Sequence, residues 1–172
     1  MKTFDQLQEG VYDPNIFKAF FLAGGPGSGK SFVVRKTTGG LGLKIVNSDT
    51  AFEKLLKDAD FSLDFRDMSP EKTLERDKIR KRAQEVTDKM KSNFVAGRLG
   101  LIIDGTGAEY GKIEKQVKML QQLGYDTHMI FVNTSLDTAI ERNNQRARKL
   151  PLDIVKTYWN NVQSNIGKFQ RL

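Results

Sequence analysis

Apolar residues arrive along this chain in two rhythms. Short runs at Ala19-Phe20-Phe21-Leu22-Ala23, Leu43-Lys44-Ile45-Val46-Asn47, Leu99-Gly100-Leu101-Ile102-Ile103 and Thr127-His128-Met129-Ile130-Phe131-Val132 have the length of buried strands. Between them, apolar positions recur every three or four residues, as one buried stripe on a helix requires. The sets are Phe52, Leu55 and Leu56; Ile79, Ala83, Val86, Met90 and Phe94; Ile113, Val117 and Leu120; and Val155, Tyr158/Trp159, Val162 and Ile166. Ser69-Pro70-Glu71 supplies an N-cap, a first-turn proline and an acidic first turn for the long helix. Gly124 closes the Ile113 helix as a left-handed cap, Thr134 and Asp137 start the next, and Pro151-Leu152-Asp153 opens the last. Strands alternating with helices predict an α/β fold with a parallel, doubly wound sheet.

The first strand leads straight into Gly24-Gly25-Pro26-Gly27-Ser28-Gly29-Lys30-Ser31, and Phe32-Val33-Val34-Arg35-Lys36 can carry a helix away. A strand, this spacing and a helix together make a P-loop. Its glycines let successive backbone N–H groups turn inward around phosphate oxygens, and the helix N-terminus faces the same anion. Lys30 then reaches the β/γ-phosphates and Ser31 offers its hydroxyl to Mg²⁺. A nucleoside triphosphate is the expected ligand.

The other candidates sit where strands end. The second strand delivers Ser48 and Asp49 to its carboxyl end, the side on which ligands of open parallel sheets bind. The third ends in Asp104-Gly105-Thr106-Gly107; Asp104 reads either as the carboxylate that orients a magnesium shell or as ordinary turn chemistry. Arg142 and Arg146 are four apart and share a helix face, so an anion between them would relieve their repulsion; the alternative is a basic helix end complementing its own dipole. Arg148 lies off that face, on the approach to Pro151. The segment between Asp58 and Ser69, with Phe61, Phe65 and Met68, reads as a cap on the substrate side. Arg76, Lys78, Arg80, Lys81 and Arg82 are interleaved with Glu75, Asp77 and Glu85 and lack aromatic partners, which reads as solvated surface rather than a nucleic-acid track. Trp159 reads as packing, and His128, the only histidine, as a strand residue without metal-ligand neighbours.

Composition narrows the partners. With 172 residues the chain fits one domain over 19–172, preceded by a polar arm over 1–18 that is broken at Asp13-Pro14-Asn15. The absence of cysteine excludes a disulfide framework and thiolate metal sites, as suits a reducing cytosol. The start lacks an apolar signal region and no run approaches the ~20 apolar residues of a membrane span, so a soluble cytoplasmic protein is expected. A net charge of +7, from 28 Lys and Arg against 21 Asp and Glu, favours anionic partners without choosing among nucleotides, nucleic acid and phosphorylated metabolites.

The P-loop, the Val46-Asn47-Ser48-Asp49 strand end and Glu141-Arg142-Asn143-x-x-Arg146 followed by Leu150-Pro151-Leu152-Asp153 carry a resemblance. From about Phe20 to Trp159 the chain resembles the P-loop phosphotransferases that include zeta-toxin-type kinases, chloramphenicol phosphotransferase and the kinase domain of phage polynucleotide kinase. The resemblance implies a three-layer P-loop sandwich with sheet order 2-3-1-4, the family's fifth strand not being supplied between the Trp159 helix and Leu172. It implies a helical insertion on the substrate side over 50–98 and an arginine-rich lid over 142–151. It also implies Lys30 and Ser31 on the donor phosphates and Mg²⁺, Asp49 as general base, and Arg146, with Arg142 a turn earlier, gripping the phosphates of ATP or GTP. Asp49, Phe52, Asp104 and Thr106 then face the acceptor. The polynucleotide-kinase pattern has an arginine three positions after the catalytic aspartate; here it is Phe52, which disfavours an oligonucleotide acceptor because a phenyl ring cannot pair with phosphate. The expected activity is transfer of a γ-phosphate to a hydroxyl of a small molecule, nucleotide or nucleotide sugar. The alternatives are a 5′-hydroxyl polynucleotide kinase and an acceptor-free nucleotide-binding ATPase or switch; no Asn-Lys-x-Asp guanine-reading motif accompanies the P-loop.

Overall fold

The computed structural model describes residues 17–37 and 42–172. The expected N-terminal arm, apart from its last two residues, and the turn at Thr38-Gly39-Gly40-Leu41 lie outside them. The elements are β1 (Lys18–Ala23), α1 (Lys30–Thr37), β2 (Lys44–Val46), α2 (Ser48–Asp58), α3 (Pro70–Ala96), β3 (Leu101–Asp104), α4 (Tyr110–Gln122), β4 (Asp126–Phe131), α5 (Leu136–Gln145) and α6 (Leu152–Phe169). The strands form one parallel sheet in the order β2-β3-β1-β4. After β1 the chain crosses β3 to reach β2, and after β3 it crosses β1 to reach β4. The P-loop that follows β1 therefore opens where these excursions diverge.

Alternation along the strands sorts two layers of core. Ala19, Phe21, Val46, Leu101 and Ile103 face Val117 and Leu120 of α4, with Phe94 and Val95 of α3 packed on the same cluster. Leu22 and Ile102 face Val34 of α1 on the other side. Phe21, Leu22, Leu101, Ile102 and Leu120 are fully buried, and each contributes roughly 1.5–3 kcal/mol relative to exposure. A third, smaller core lies off the sheet: Phe52 and Leu56 of α2, Phe65 of the segment between α2 and α3, and Ala83 of α3, with Ile79, Phe61, Met68 and Leu150 against it.

Local chemistry sets the element ends. The Ser69 hydroxyl accepts from Lys72 N, with Pro70 in the first turn of α3. After α4, Gly124 at φ 88° lets Tyr125 N reach Leu120 O and Gly124 N reach Gln121 O, a Schellman closure. Two expectations are corrected. Ser135, not Thr134, caps α5, because its hydroxyl accepts from Thr138 N while the Thr134 carbonyl accepts from Trp159 Nε1 at 2.9 Å. Val86 is exposed on α3, where Ala83 and Thr87 are the buried positions.

Candidate active site

β1 stops at Ala23, and of the next eight residues the last six, Pro26 to Ser31, line a cavity. Gly24 N donates to Thr106 O at 2.9 Å, tying the loop to the turn after β3. A Cβ on Gly24 would lie 2.5 Å from Val132 O, and one on Gly27, at φ 75°, 2.8 Å from Ala139 O, so both positions need glycine. α1 begins at Lys30 and points its first N–H groups back into the loop. Ser28 Oγ is buried without a hydrogen-bond partner among the described residues. Lys30 Nζ folds onto Gly24 O at 2.6 Å and Gly25 O at 3.2 Å. Burial pulls the Lys30 ammonium below its ordinary pKa, against the opposing fields of Asp104 and Asp49 and with that of Arg146. An amide-lined cradle, an orphaned hydroxyl and a buried ammonium resting on carbonyls all fit a phosphate chain.

The neighbouring strand tips are in step with this loop. Asp104 pairs with Leu22 of β1, and Val46 pairs with Ile103, which brings Asn47 level with Asp104. Asn47 does two jobs. Its Oδ1 accepts from Asp49 N at 2.7 Å, capping α2, and its Nδ2 donates to Asp104 Oδ2 at 2.8 Å. Burial pushes the Asp104 carboxyl up; Lys30 opposes that, the Asp49 charge adds to it, and the Asn47 bond relieves it. Ser31, exposed on α1, and Asp104 are hard oxygen donors that suit Mg²⁺. Among the described residues no group of three His, Cys, Asp or Glu could hold a metal, so these two would serve an ion that takes its other oxygens from phosphate and water.

Asp49, in the first turn of α2, is held by two arginines from distant segments. Arg80 of α3 donates Nη1 to Oδ1 at 2.6 Å. Arg148, from the loop after α5, donates Nη1 to Oδ1 at 3.2 Å, sets Nη2 2.9 Å from Oδ2 and places Nε 3.2 Å from Glu53 Oε1. Burial raises the Asp49 pKa, but hydrogen bonds and charge from Arg148, then Arg80, outweigh it and hold the carboxyl well below the usual range.

The loop carrying Arg148 is clipped at both ends. Asn143, buried in α5, donates Nδ2 to Leu150 O at 2.9 Å and accepts at Oδ1 from Leu150 N at 3.1 Å. Lys149 exchanges backbone bonds with Leu63 and Phe65, which joins the Asp58–Ser69 segment to this loop. Helix α5 stops at Gln145 and Arg146 turns extended, so Arg142 and Arg146 are not stacked on one continuous helix as their spacing predicts. Arg142 donates Nη1 to Gly27 O at 3.0 Å; Arg146 is exposed and close enough to Lys30 and Asp104 to act on both.

All of this faces one cleft of about 940 Å³. Pro26, Gly27, Ser28, Gly29, Lys30 and Ser31 form one wall, Asp104 and Thr106 the floor beside Asp49 and Phe52, and Arg142 and Arg146 the rim. Of the expected site residues, Gly24 and Gly25 stand behind the loop: they hold its shape and accept from Lys30. The Thr106 hydroxyl accepts from Ala108 N at 3.4 Å, and its carbonyl serves Gly24. Trp159 packs as expected, and Tyr158, its neighbour, is the one that borders the cleft. Arg76 and Arg80 also line it, which corrects their placing on the solvated face of α3; Lys78, Lys81 and Arg82 are exposed as expected. Asn47, Asn143 and Arg148 are the residues whose roles motif and spacing do not single out. For Arg76 and Arg80 a signal exists: with Ala83 and Thr87 they fall at i, i+4, i+7 and i+11, the buried line of α3.

Similarity to known proteins agrees with this fold. A family model described as AAA domain matches residues 20–166. No curated protein sequence matches. Among solved structures, a chain of the AvrRxo1-ORF1:ORF2 complex with ATP superposes with TM-score 0.71 at 16% identity, over 90% of this chain and 49% of that one. A chain of the Pnkp1/Rnl/Hen1 RNA repair complex gives 0.64 at 18% identity, over 92% and 48%. A gluconokinase from Sinorhizobium meliloti 1021 gives 0.52 at 12% identity, over 90% and 79%. The chain thus spans about half the length of the first two. At these identities the likeness is one of fold, a P-loop kinase-like α/β sandwich.

Proposed function

Since the chain belongs to the AAA-domain family whose model covers residues 20–166, we propose that it is a magnesium-dependent kinase that moves the γ-phosphate of ATP or GTP to an acceptor hydroxyl. The observation that carries this reading is convergence: Lys30, Asp49, Asp104 and Arg146, from four separate segments, border one cleft. An acceptor-free switch needs a carboxylate on the magnesium side, the part Asp104 would play, but not a further one held across the cleft for an acceptor hydroxyl. Here Asp49 is held by two arginines and backed by Asn47.

In the proposed reaction Lys30 leaves the Gly24 and Gly25 carbonyls for the donor phosphates, and Arg142 and Arg146 gather the same charge from the rim. Magnesium, held by Ser31 and Asp104, would supply further charge neutralisation at the phosphate oxygens. Asp49 orients the acceptor hydroxyl and takes its proton as that oxygen bonds to the γ-phosphorus. The bond from phosphorus to the β–γ bridging oxygen breaks and the nucleoside diphosphate leaves. Phosphoryl transfer passes through a loose transition state, so positioning and electrostatics matter more than base strength. A carboxylate with a depressed pKa is therefore compatible with this role.

The test is a pair of substitutions read with labelled ATP and an acceptor panel. Lys30→Ala should lose nucleotide binding, and Asp49→Asn should keep binding and lose transfer by about 10²-fold or more. Full transfer by Asp49→Asn would overturn the base assignment. Acceptor-independent hydrolysis equal to transfer would overturn the kinase reading.

A further inference from the structure

The second arginine on Asp49 is not explained by the reaction above. Arg148 is fixed: its side chain is 9% exposed and it is shared between Asp49 and Glu53. Arg80 is different. Its side chain is 35% exposed, it borders the cleft, and of a guanidinium's five N–H donors only the one on Asp49 Oδ1 has a hydrogen-bond partner among the described residues. Its carbon lies 4.9 Å from the centre of the buried Phe52 ring. One turn earlier, Arg76 lies 5.6 Å from the Phe65 ring, and the two rings are 6.0 Å apart. Two guanidiniums thus lie over an aromatic floor beside the cleft; Arg76 also donates Nε and Nη2 to Asp77, whereas Arg80 keeps donors for another group.

Oδ1 of Asp49 is occupied by Arg80 at 2.6 Å and Arg148 at 3.2 Å. An acceptor hydroxyl that donates to this oxygen must compete with those bonds. A neutral polyol offers Arg80 only hydroxyl acceptors, weaker than the carboxylate bond it would give up. A second oxyanion on the acceptor does: it engages the idle donors, draws Arg80 from Oδ1 and frees that oxygen for the hydroxyl.

Building on the kinase reading, we propose that the acceptor itself carries an oxyanion, a phosphate or carboxylate a few bonds from the reacting hydroxyl, and that Arg80 binds it from the Phe52 platform. The acceptor is a small molecule. Of the other cations of α3, Lys78, Lys81 and Arg82 are exposed and lie in a short run closed by Asp77 on one side and Glu85 on the other, too short a basic stretch to track a polymer backbone.

The experiment uses the full chain with Mg²⁺ and labelled ATP and offers acceptors in matched pairs. These are a nucleoside and its 3′-monophosphate, a hexose and its 6-phosphate, and glycerol against glycerol 3-phosphate and glycerate; a 5′-hydroxyl oligonucleotide is a separate arm. The anionic member of a pair should be preferred about tenfold or more in kcat/KM, with the phosphate and carboxylate members separating the two sources. Arg80→Gln should erase the preference through acceptor KM, Arg80→Lys should restore part of it, and the KM for ATP should hold in both. Equal use of the neutral members, an unchanged preference in Arg80→Gln, or preference for the oligonucleotide over every small acceptor would overturn the proposal. A binding readout decides if no acceptor in the panel turns over: with ADP on the P-loop, inorganic phosphate should bind a second time and lose about tenfold in affinity in Arg80→Gln. No second binding, or binding indifferent to Arg80, overturns it as well. Failure of ATP itself to bind would instead sink the kinase reading, so the two failures are distinguishable.

Discussion

Asp49 and Asp104 face the same cleft with opposite electrostatic histories. The Asp49 carboxyl is held below its ordinary pKa and that of Asp104 is pushed above. For Asp49 the folded value lies under the unfolded one, so its stabilisation is present above about pH 4 and is lost as pH falls toward the folded pKa. Arg148→Met removes its main partner and leaves Glu53 facing a gap. We expect a loss of roughly 2 kcal/mol at pH 7, less than the 3–5 kcal/mol of a fully buried pair because Asp49 is open to solvent on one side. Urea unfolding at pH 7 and pH 3 checks it, and the gap to wild type should narrow at the lower pH. For Asp104 the sign reverses. Its folded pKa lies above the unfolded one, so below the unfolded value the neutral acid costs nothing, and the penalty grows as pH rises through the folded value. Asp104→Asn, whose amide oxygen can still accept from Asn47, should raise the Tm of the ligand-free protein at pH 7.5, show no gain near pH 3.5, and abolish phosphoryl transfer. A lowered Tm at pH 7.5 would show that Asp104 is a stabilising residue and not a charge kept for a ligand.

At the scale of elements, two joints of the site are each tied by one asparagine side chain. Asn47 ties the start of α2 to the tip of β3, and Asn143 ties the end of α5 to Leu150. Asn143→Ala leaves the Leu150 N–H and carbonyl without these partners at a partly buried spot. The expected cost is about 1–3 kcal/mol, with a fall in kcat because Arg148 is positioned by the same loop. Asn143→Asp keeps one of the two bonds and should recover part of both, measured by unfolding and steady-state kinetics. These fasteners also mark where sequence reading runs out. The strands were legible because four short apolar runs alternate with helical stripes, and the cradle because its glycines, Lys30 and Ser31 are contiguous. Asp49, Asp104 and Arg146 were legible because strand ends and a resemblance point to them. Arg148 was not, since nothing in Gln145-Arg146-Ala147-Arg148 says which cation turns inward once α5 stops at Gln145. Arg80 was hidden among alternating charges, and its value depends on Phe52 and Asp49, which reach it only through the tertiary packing of α2 on α3.

Taken as a whole molecule, the cleft is a junction of three bodies: the sheet with its P-loop, the small α2–α3 core around Phe52 and Phe65, and the loop between α5 and α6 that bridges them through Lys149 and Leu150. Two of its cations rest on the protein's own carbonyls, Lys30 on Gly24 and Gly25 and Arg142 on Gly27. In the proposed complex a triphosphate would give both a better partner and would reach the rim as well as the cradle, so binding should stabilise the fold as a unit. At a nucleotide concentration of ~100 times Kd the linkage is about 2.7 kcal/mol, which for a chain of this size moves Tm by roughly 5–10 °C. Lys30→Ala should abolish the shift. Its own Tm without nucleotide should change little, because the ammonium it removes is one that burial disfavours. Arg146→Ala, on the exposed rim, should reduce the shift without abolishing it. An equal shift in wild type and Lys30→Ala would mean that the nucleotide stabilises the chain from somewhere other than the loop after β1, and the geometry built on that loop would then describe a cavity with a different occupant.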